Sequence, residues 1–305
     1  MKSYSADDNI SSIAKRYLLT LRYVVTVVIC MAAYTPANAI DVLNPTTHCE
    51  RDTAEITSIL LELNSKGKDV SERRVLAAGM LTGRGYDSDV ERDSTGTVKL
   101  NIHTFTPLSY INTVQALASA AGHDYPTWRD FVREYEKIAL RRGEDSGYAS
   151  VLRYGTDWIA DNIYRGNLKE LTENYDGAVS KTKSIDYMSR HRDQYAALAN
   201  PEIYEKIEMI DMGYKQQRIP YLKRQYITRN DVVGGIKDGD IIMMLDNADG
   251  LDIYGIFYVM AVDNKLYLTG FNPLTGKTET LPEPADKMFK LMVKNFYGFR
   301  WLRWL

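Results

Sequence analysis

Apolar positions recur every three or four residues through the first two thirds of the chain and every second residue from Asp240 onward, a change of period that predicts helices first and strands last. Thr53 to Leu63 sets Ile56, Ile59, Leu60 and Leu63 on one face, and Ser71 to Leu81 follows, ending at the glycine-punctuated Gly83-Arg84-Gly85. Ser109 to Ala121 carries Ile111, Val114 and Ala118 on one stripe. Thr127 to Arg142 turns Trp128, Phe131, Tyr135, Ile138 and Ala139 inward, with Thr127 and Asp130 at the spacing of a capping box. Tyr148 to Tyr164 gives one more helix. Ile241 to Leu245, Tyr254 to Val262, Lys265 to Phe271 and Leu291 to Leu302 read as strands, with Asp263-Asn264 suited to a tight turn and Asn272 to Gly276 to a longer one. Helices followed by an antiparallel sheet predict an α+β fold.

The N-terminus carries a different signal. Lys15, Arg16 and Arg22 precede an apolar run from Tyr23 to Ala33, and Ala37-Asn38-Ala39 has the small-x-small form of a signal peptidase site. Residues 1–39 are therefore expected to be a signal peptide and residues 40–305 a single exported domain, mainly helical to about 235 and mainly β from 236. The apolar run is shorter than the roughly 20 residues a bilayer needs, and no membrane span is expected after cleavage. Removing four basic residues (Lys2, Lys15, Arg16, Arg22) and two acidic ones (Asp7, Asp8) moves the formal net charge from −2 to −4. That balance argues against a nucleic-acid partner. Cys30 leaves with the signal segment, and Val27-Val28-Ile29 before it does not resemble a lipobox, so Cys49 remains as a lone thiol with no disulfide framework.

Several separated patches carry a resemblance: Gly147 to Tyr154 with Asp157 to Asn162, Arg165-Gly166, Ile185 to His191 with Tyr195, Ile219-Pro220, and Lys237 to Ile242 leading to Gly250 to Ile253. In this order and spacing they resemble the N-acetylmuramoyl-L-alanine amidase-like proteins, exported bacterial relatives of the papain-like, NlpC-type cell-wall hydrolases. The resemblance implies a papain-like fold, a cysteine nucleophile opening the first central helix, a histidine base on a strand and an orienting residue on the next strand. A helix N-terminus and a neighbouring base together favour the thiolate. In this chain the corresponding positions are Pro107, Gly255 and Gly270, none of which can carry a proton. Thr106 as N-cap and Pro107 as first helical residue make a favoured helix start.

The resemblance thus implies an exported protein with the frame of a cell-wall amidase and no catalytic residues, one that binds a peptidoglycan fragment or an envelope protein partner. Ser189, His191, Tyr195, Asp252 and Tyr254 are the expected ligand-binding positions. Two alternatives stay open: an active hydrolase with a rearranged site using His103, His191 or Cys49, and a scaffolding protein with a filled cleft. No cofactor or metal is expected, because the four histidines show no ligand spacing and neither Asp87-Ser88-Asp89 nor Asp246 to Asp249 has the spacing of a calcium loop. The 22 tyrosines suit sugar stacking and half-buried helix faces alike.

Signal cleavage is directly checkable. N-terminal sequencing of the protein recovered from an exporting host is expected to begin at Ile40; a mature chain still starting at Met1 would refute the leader assignment.

Overall fold

The computed structural model describes residues 49–86, 100–143, 147–263 and 265–305. The expected signal segment with Cys30, His48, Asp87-Ser88-Asp89 and the turn residue Asn264 lie outside them. The described residues belong to one compact unit, Asn38–Leu305.

Helices α1 (Cys49–Lys66) and α2 (Val70–Met80) pack beside α3 (Pro107–Ala120) and α4 (Trp128–Ala139). Twelve of the fourteen residues of α3 are buried, so it is a central helix rather than an amphipathic surface one. Its polar side chains are accommodated by specific partners: Trp158 Nε1 donates to Asn112 Oδ1 at 2.9 Å and Arg74 Nε to Gln115 Oε1 at 2.6 Å. Tyr258 Oη reaches up from the sheet to donate to the Ile111 carbonyl at 3.0 Å. Helix α5 (Gly155–Tyr164) follows, with two short helices, α6 (Tyr187–Arg190) and α8 (Asn230–Val233), and a longer α7 (Pro201–Gly213) beyond it.

The sheet runs β2 (Thr104–Phe105), β1 (Gly85–Tyr86), β9 (Lys277–Thr280), β8 (Lys265–Asn272), β7 (Ile253–Val262), β6 (Ile241–Asp246), β10 (Phe296–Trp304), β5 (Gln217–Lys223) and β4 (Val179–Lys183), with β3 (Leu168–Glu170) also on β10. All pairings are antiparallel except β1 with β2. This is an α+β fold with a large, mostly antiparallel sheet. Strand β6 is apolar at every position from Ile241 to Leu245 because both of its faces are covered. Ile241, Met243 and Leu245 meet the helices, while Ile242 and Met244 join a second core with Phe257, Phe299, Trp301 and helix α9 (Ala285–Leu291). Among the described residues no helix is long and apolar enough to cross a membrane.

The elements differ from the sequence pattern at several places. The stretch from Tyr148 to Tyr164 is a 3₁₀ turn (Tyr148–Ser150), an extended segment, and then α5. Val151 is held extended by its bridge to Leu140, and Leu152 N–H donates to Ala139 O at 2.9 Å. The stretch from Leu291 to Leu302 begins as the end of α9, whose Met288, Phe289 and Met292 are buried, and becomes strand only at Phe296. Strands β3, β4 and β5 have no counterpart in the sequence pattern: the first two are short and rich in charged and hydroxyl residues, and the third contains Pro220, paired with Ser180.

Asp252, fully buried just before β7, joins the sheet to α5. Its Oδ1 accepts the Gly155 N–H at 3.2 Å and its Oδ2 the Thr156 N–H at 2.5 Å, so a carboxylate sits on the positive end of the helix. Burial raises the Asp252 carboxyl above its ordinary 3.8, against the pull of these bonds and of Arg300. A raised acid binds its proton more tightly when folded, so its stabilising contribution is complete below the ordinary value and is lost as pH rises through the folded value. The stability advantage of wild type over Asp252→Asn in urea melts is accordingly expected to shrink as pH rises above about 4. An advantage that grows with pH instead would mean the amide bonds dominate. Asp252→Ala, which removes the cap, is expected to cost about 1–2 kcal/mol.

Candidate functional site

The first turn of α3 faces a cleft of about 380 Å³. Thr106 adopts extended backbone and accepts the Ser109 N–H on Oγ1 at 3.1 Å, while Ser109 Oγ accepts the Thr106 N–H at 2.9 Å. Pro107 then opens the helix at the position where a missing N–H costs least. Opposite this turn stand three other pieces of the chain: the segment Tyr148–Tyr154, helix α6 with Gln194 and Tyr195, and Leu251–Ile253 at the start of β7. Gly250, at φ +78°, makes the bend into the last of these, and its carbonyl accepts the Asp186 N–H at 3.2 Å.

The lining is aromatic and nearly uncharged. Tyr86, Tyr148, Tyr154, Tyr187 and Tyr195 supply most of the walls, with Leu108, Leu152, Met188 and Ile253 between them. Among the described residues, Arg153 is the one lining cation, Asp252 the one lining carboxylate, and none of the lining residues is a cysteine or histidine. The Arg153 guanidinium lies 3.8 Å from the centroid of the Tyr148 ring and donates to the Tyr148 carbonyl at 2.6 Å. Tyr154 Oη accepts the Met188 N–H at 2.9 Å, and burial pushes its hydroxyl well above the usual tyrosine value.

The expected site residues separate into three groups. Pro107, Tyr195 and Asp252 line the cleft, although both carboxylate oxygens of Asp252 are engaged by α5. His191 lies one ring behind the wall. Its ring stacks on Tyr187 with centroids 3.9 Å apart, and its Nδ1 meets the Tyr187 carbonyl at 2.8 Å, which assigns the proton to Nδ1. Ser189 lines a separate hollow of about 290 Å³ between α6 and α7, where its N–H donates to Asp211 at 2.9 Å.

Tyr254, Gly255 and Gly270 face the other way. Strand β7 bulges at Tyr254, since Met244 pairs with Gly255 but Leu245 pairs with Ile253. Tyr254 therefore stacks on Phe296 and its Oη accepts from Asn295 Nδ2 at 2.8 Å. Gly255 shares the face of Met244, and Gly270, paired with Phe257, lies on that same side in the second core. A Cβ on Gly255 would come 2.7 Å from Phe257 Cε2, and one on Gly270 2.8 Å from Phe257 Cδ1. The Phe257 ring thus occupies the space next to both glycines, away from Pro107.

Of the remaining candidates, His103 holds the buried Asp52 through Nε2 at 2.8 Å and meets Arg84 through Nδ1 at 3.2 Å, outside the cleft. Cys49 opens α1, and its thiol lies outside the described atoms. Among the described residues no group of three or more histidine, cysteine or acidic side chains could hold a metal. Arg153 and Asn112 are cleft residues that sequence reasoning passed over. Arg153 lies inside the patch from Gly147 to Tyr154, and Asn112 follows Pro107 by little more than one helical turn, so a search for polar residues one turn below the helix start would have found it.

Known proteins give a consistent picture. A family model described as AmiA-like, N-acetylmuramoyl-L-alanine amidase-like, matches residues 78–291, well over half of the chain. Among solved structures, an N-acetylmuramoyl-L-alanine amidase from Bacteroides uniformis ATCC 8492 is 25% identical, with a TM-score of 0.68 over 77% of this chain and 98% of its own. A putative xylanase from Bacteroides fragilis is also 25% identical, with a TM-score of 0.65 over 74% of this chain and 99% of its own. A Legionella pneumophila protein at 17% identity shares the fold, with a TM-score of 0.64 over 84% of this chain and 95% of its own. No curated protein matches. The fold, the cleft at the head of α3 and the matched span together assign this chain to the N-acetylmuramoyl-L-alanine amidase-like family.

Proposed function

We propose that this protein is an exported, non-hydrolysing member of its family, related to the papain-like NlpC hydrolases, which binds a muropeptide in the cleft at the N-terminus of α3. The observation that carries the reading is Pro107: the residue at the head of the central helix, facing the cleft, offers no thiol and no hydroxyl. One further feature supports it. Among the described residues the cleft lining holds neither cysteine nor histidine. The described lining offers neither the thiol nor the imidazole that the family's chemistry uses.

An aromatic cleft suits the ligand class. Tyrosine faces bury apolar sugar and peptide surface at low entropic cost, and their hydroxyls and edges keep polar contacts available. An open volume of about 380 Å³ lies within the ordinary range for small-ligand sites, which favours a bound ligand over a filled scaffold cleft.

The test combines turnover and binding. Chromatography of soluble muropeptides incubated with the mature protein is expected to show no new product, since loss of a nucleophile or base costs roughly 10⁴ to 10⁶ in rate. Calorimetry with the same muropeptides is expected to show saturable binding. Pro107→Cys is expected to remain inactive, because a thiol there meets no histidine in the cleft. Turnover by the wild-type protein, or absence of muropeptide binding, would sink the proposal.

A further inference from the structure

The head of α3 presents two hydrogen-bond donors that have no acceptor among the described residues. The Ser109 N–H is taken by Thr106 Oγ1 and the Tyr110 N–H by the Thr106 carbonyl. Pro107 has no N–H, so Leu108 carries the first amide of this fourteen-residue helix, and that amide is the first of the two unanswered donors. Leu108 lines the cleft.

The second donor belongs to Asn112, which is 2% exposed and also lines the cleft. Trp158 Nε1 reaches its side chain at 2.9 Å, and an indole N–H can only donate. The amide is therefore turned with Oδ1 toward Trp158 and Nδ2 away from it, and Nδ2 meets no acceptor among the described residues. Leu108 and Asn112 are four residues apart and so share one stripe of α3. Helical side chains lean toward the N-terminus, which carries the Asn112 amide back over the turn that begins at Leu108.

Two neutral N–H groups select the group that meets them. A carbonyl oxygen has two lone pairs and no hydrogen, so it can accept from both donors and leaves no proton to place, whereas a hydroxyl or an ammonium brings hydrogens of its own. A carboxylate would give up its hydration for donors that carry no charge. We infer that the ligand places an uncharged carbonyl oxygen, from an acetamido or a peptide amide group, at the head of α3, where it accepts from Asn112 Nδ2 and the Leu108 N–H. The inference rests on the proposed muropeptide reading and narrows it to one kind of atom and the two residues that hold it.

An uncharged ligand tests this. The C-terminal carboxamide of N-acetylmuramoyl-L-alanine is expected to bind the wild-type protein in calorimetry, and in isotope-labelled wild type it is expected to move the Asn112 side-chain amide and Leu108 amide resonances downfield to a saturating limit. The same carboxamide lacking the N-acetyl group separates the two sources: loss of those shifts assigns the carbonyl to the acetamido group, and their retention assigns it to a peptide amide. Asn112→Asp keeps an acceptor for Trp158 and puts an oxygen in place of the donor, so it is expected to bind the carboxamide at least about tenfold more weakly, with thermal melts establishing that the variant is folded. Unmoved Asn112 resonances at saturation, an affinity within about twofold of wild type in folded Asn112→Asp, or binding of the free acid alone would each overturn the carbonyl inference while the muropeptide reading stands. Absence of binding by any muropeptide would overturn the two together.

Discussion

A buried carboxylate, Asp252, holds two peptide N–H groups at the start of α5, and much of the cleft wall hangs from that contact. On one side it fixes Leu251 and Ile253 at the start of β7; on the other it fixes the end of the segment that carries Tyr148, Arg153 and Tyr154. The helix N-terminus supplies hydrogen-bond donors that an isolated buried carboxylate would lack, and the carboxylate supplies the acceptors that the first amides of α5 need. Arg300 reinforces the arrangement from β10, where it forks onto Glu170 and reaches Thr156. A residue whose position suggests ligand contact thus serves to hold in place the residues that can make it.

Much of this architecture is legible in the sequence, because it follows from local chemistry. Thr106-Pro107 reads as a helix start and is one; the β7–β8 hairpin reads from its alternation and pairs as expected from Phe257 to Lys265. What cannot be read is set by tertiary register. The bulge at Tyr254 depends on how β6 and β7 fit beside the start of α5, yet it decides which way Tyr254 and Gly255 face. The same limit applies to Asp252 and His191, whose roles are fixed by partners distant in sequence or by ring stacking that no spacing rule encodes. Strands β3 and β4 escaped notice because short, polar strands at the side of a sheet carry little alternation, and β5 because Pro220 interrupts its run.

The proposed function separates binding from chemistry within one fold. A central helix, a ring of tyrosines and a guanidinium are features of shape and polarity, and among the described residues the lining carries them with neither cysteine nor histidine. His191 illustrates the separation: its imidazole stiffens Tyr187 by stacking while the wall in front of it stays aromatic.

The Phe257 ring has a consequence for the order in which substitutions can accumulate. Because it lies against both Gly255 and Gly270, any larger residue at either position meets a ring already in place, at 2.7 and 2.8 Å. A side chain at Gly255 requires Phe257 to become smaller or swing away, which opens a void in the second core, and one at Gly270 must also clear the Ile256 carbonyl oxygen at 2.7 Å. The first such substitution is therefore destabilising by itself, so the packing of one phenylalanine limits the order in which residues at the two positions can change.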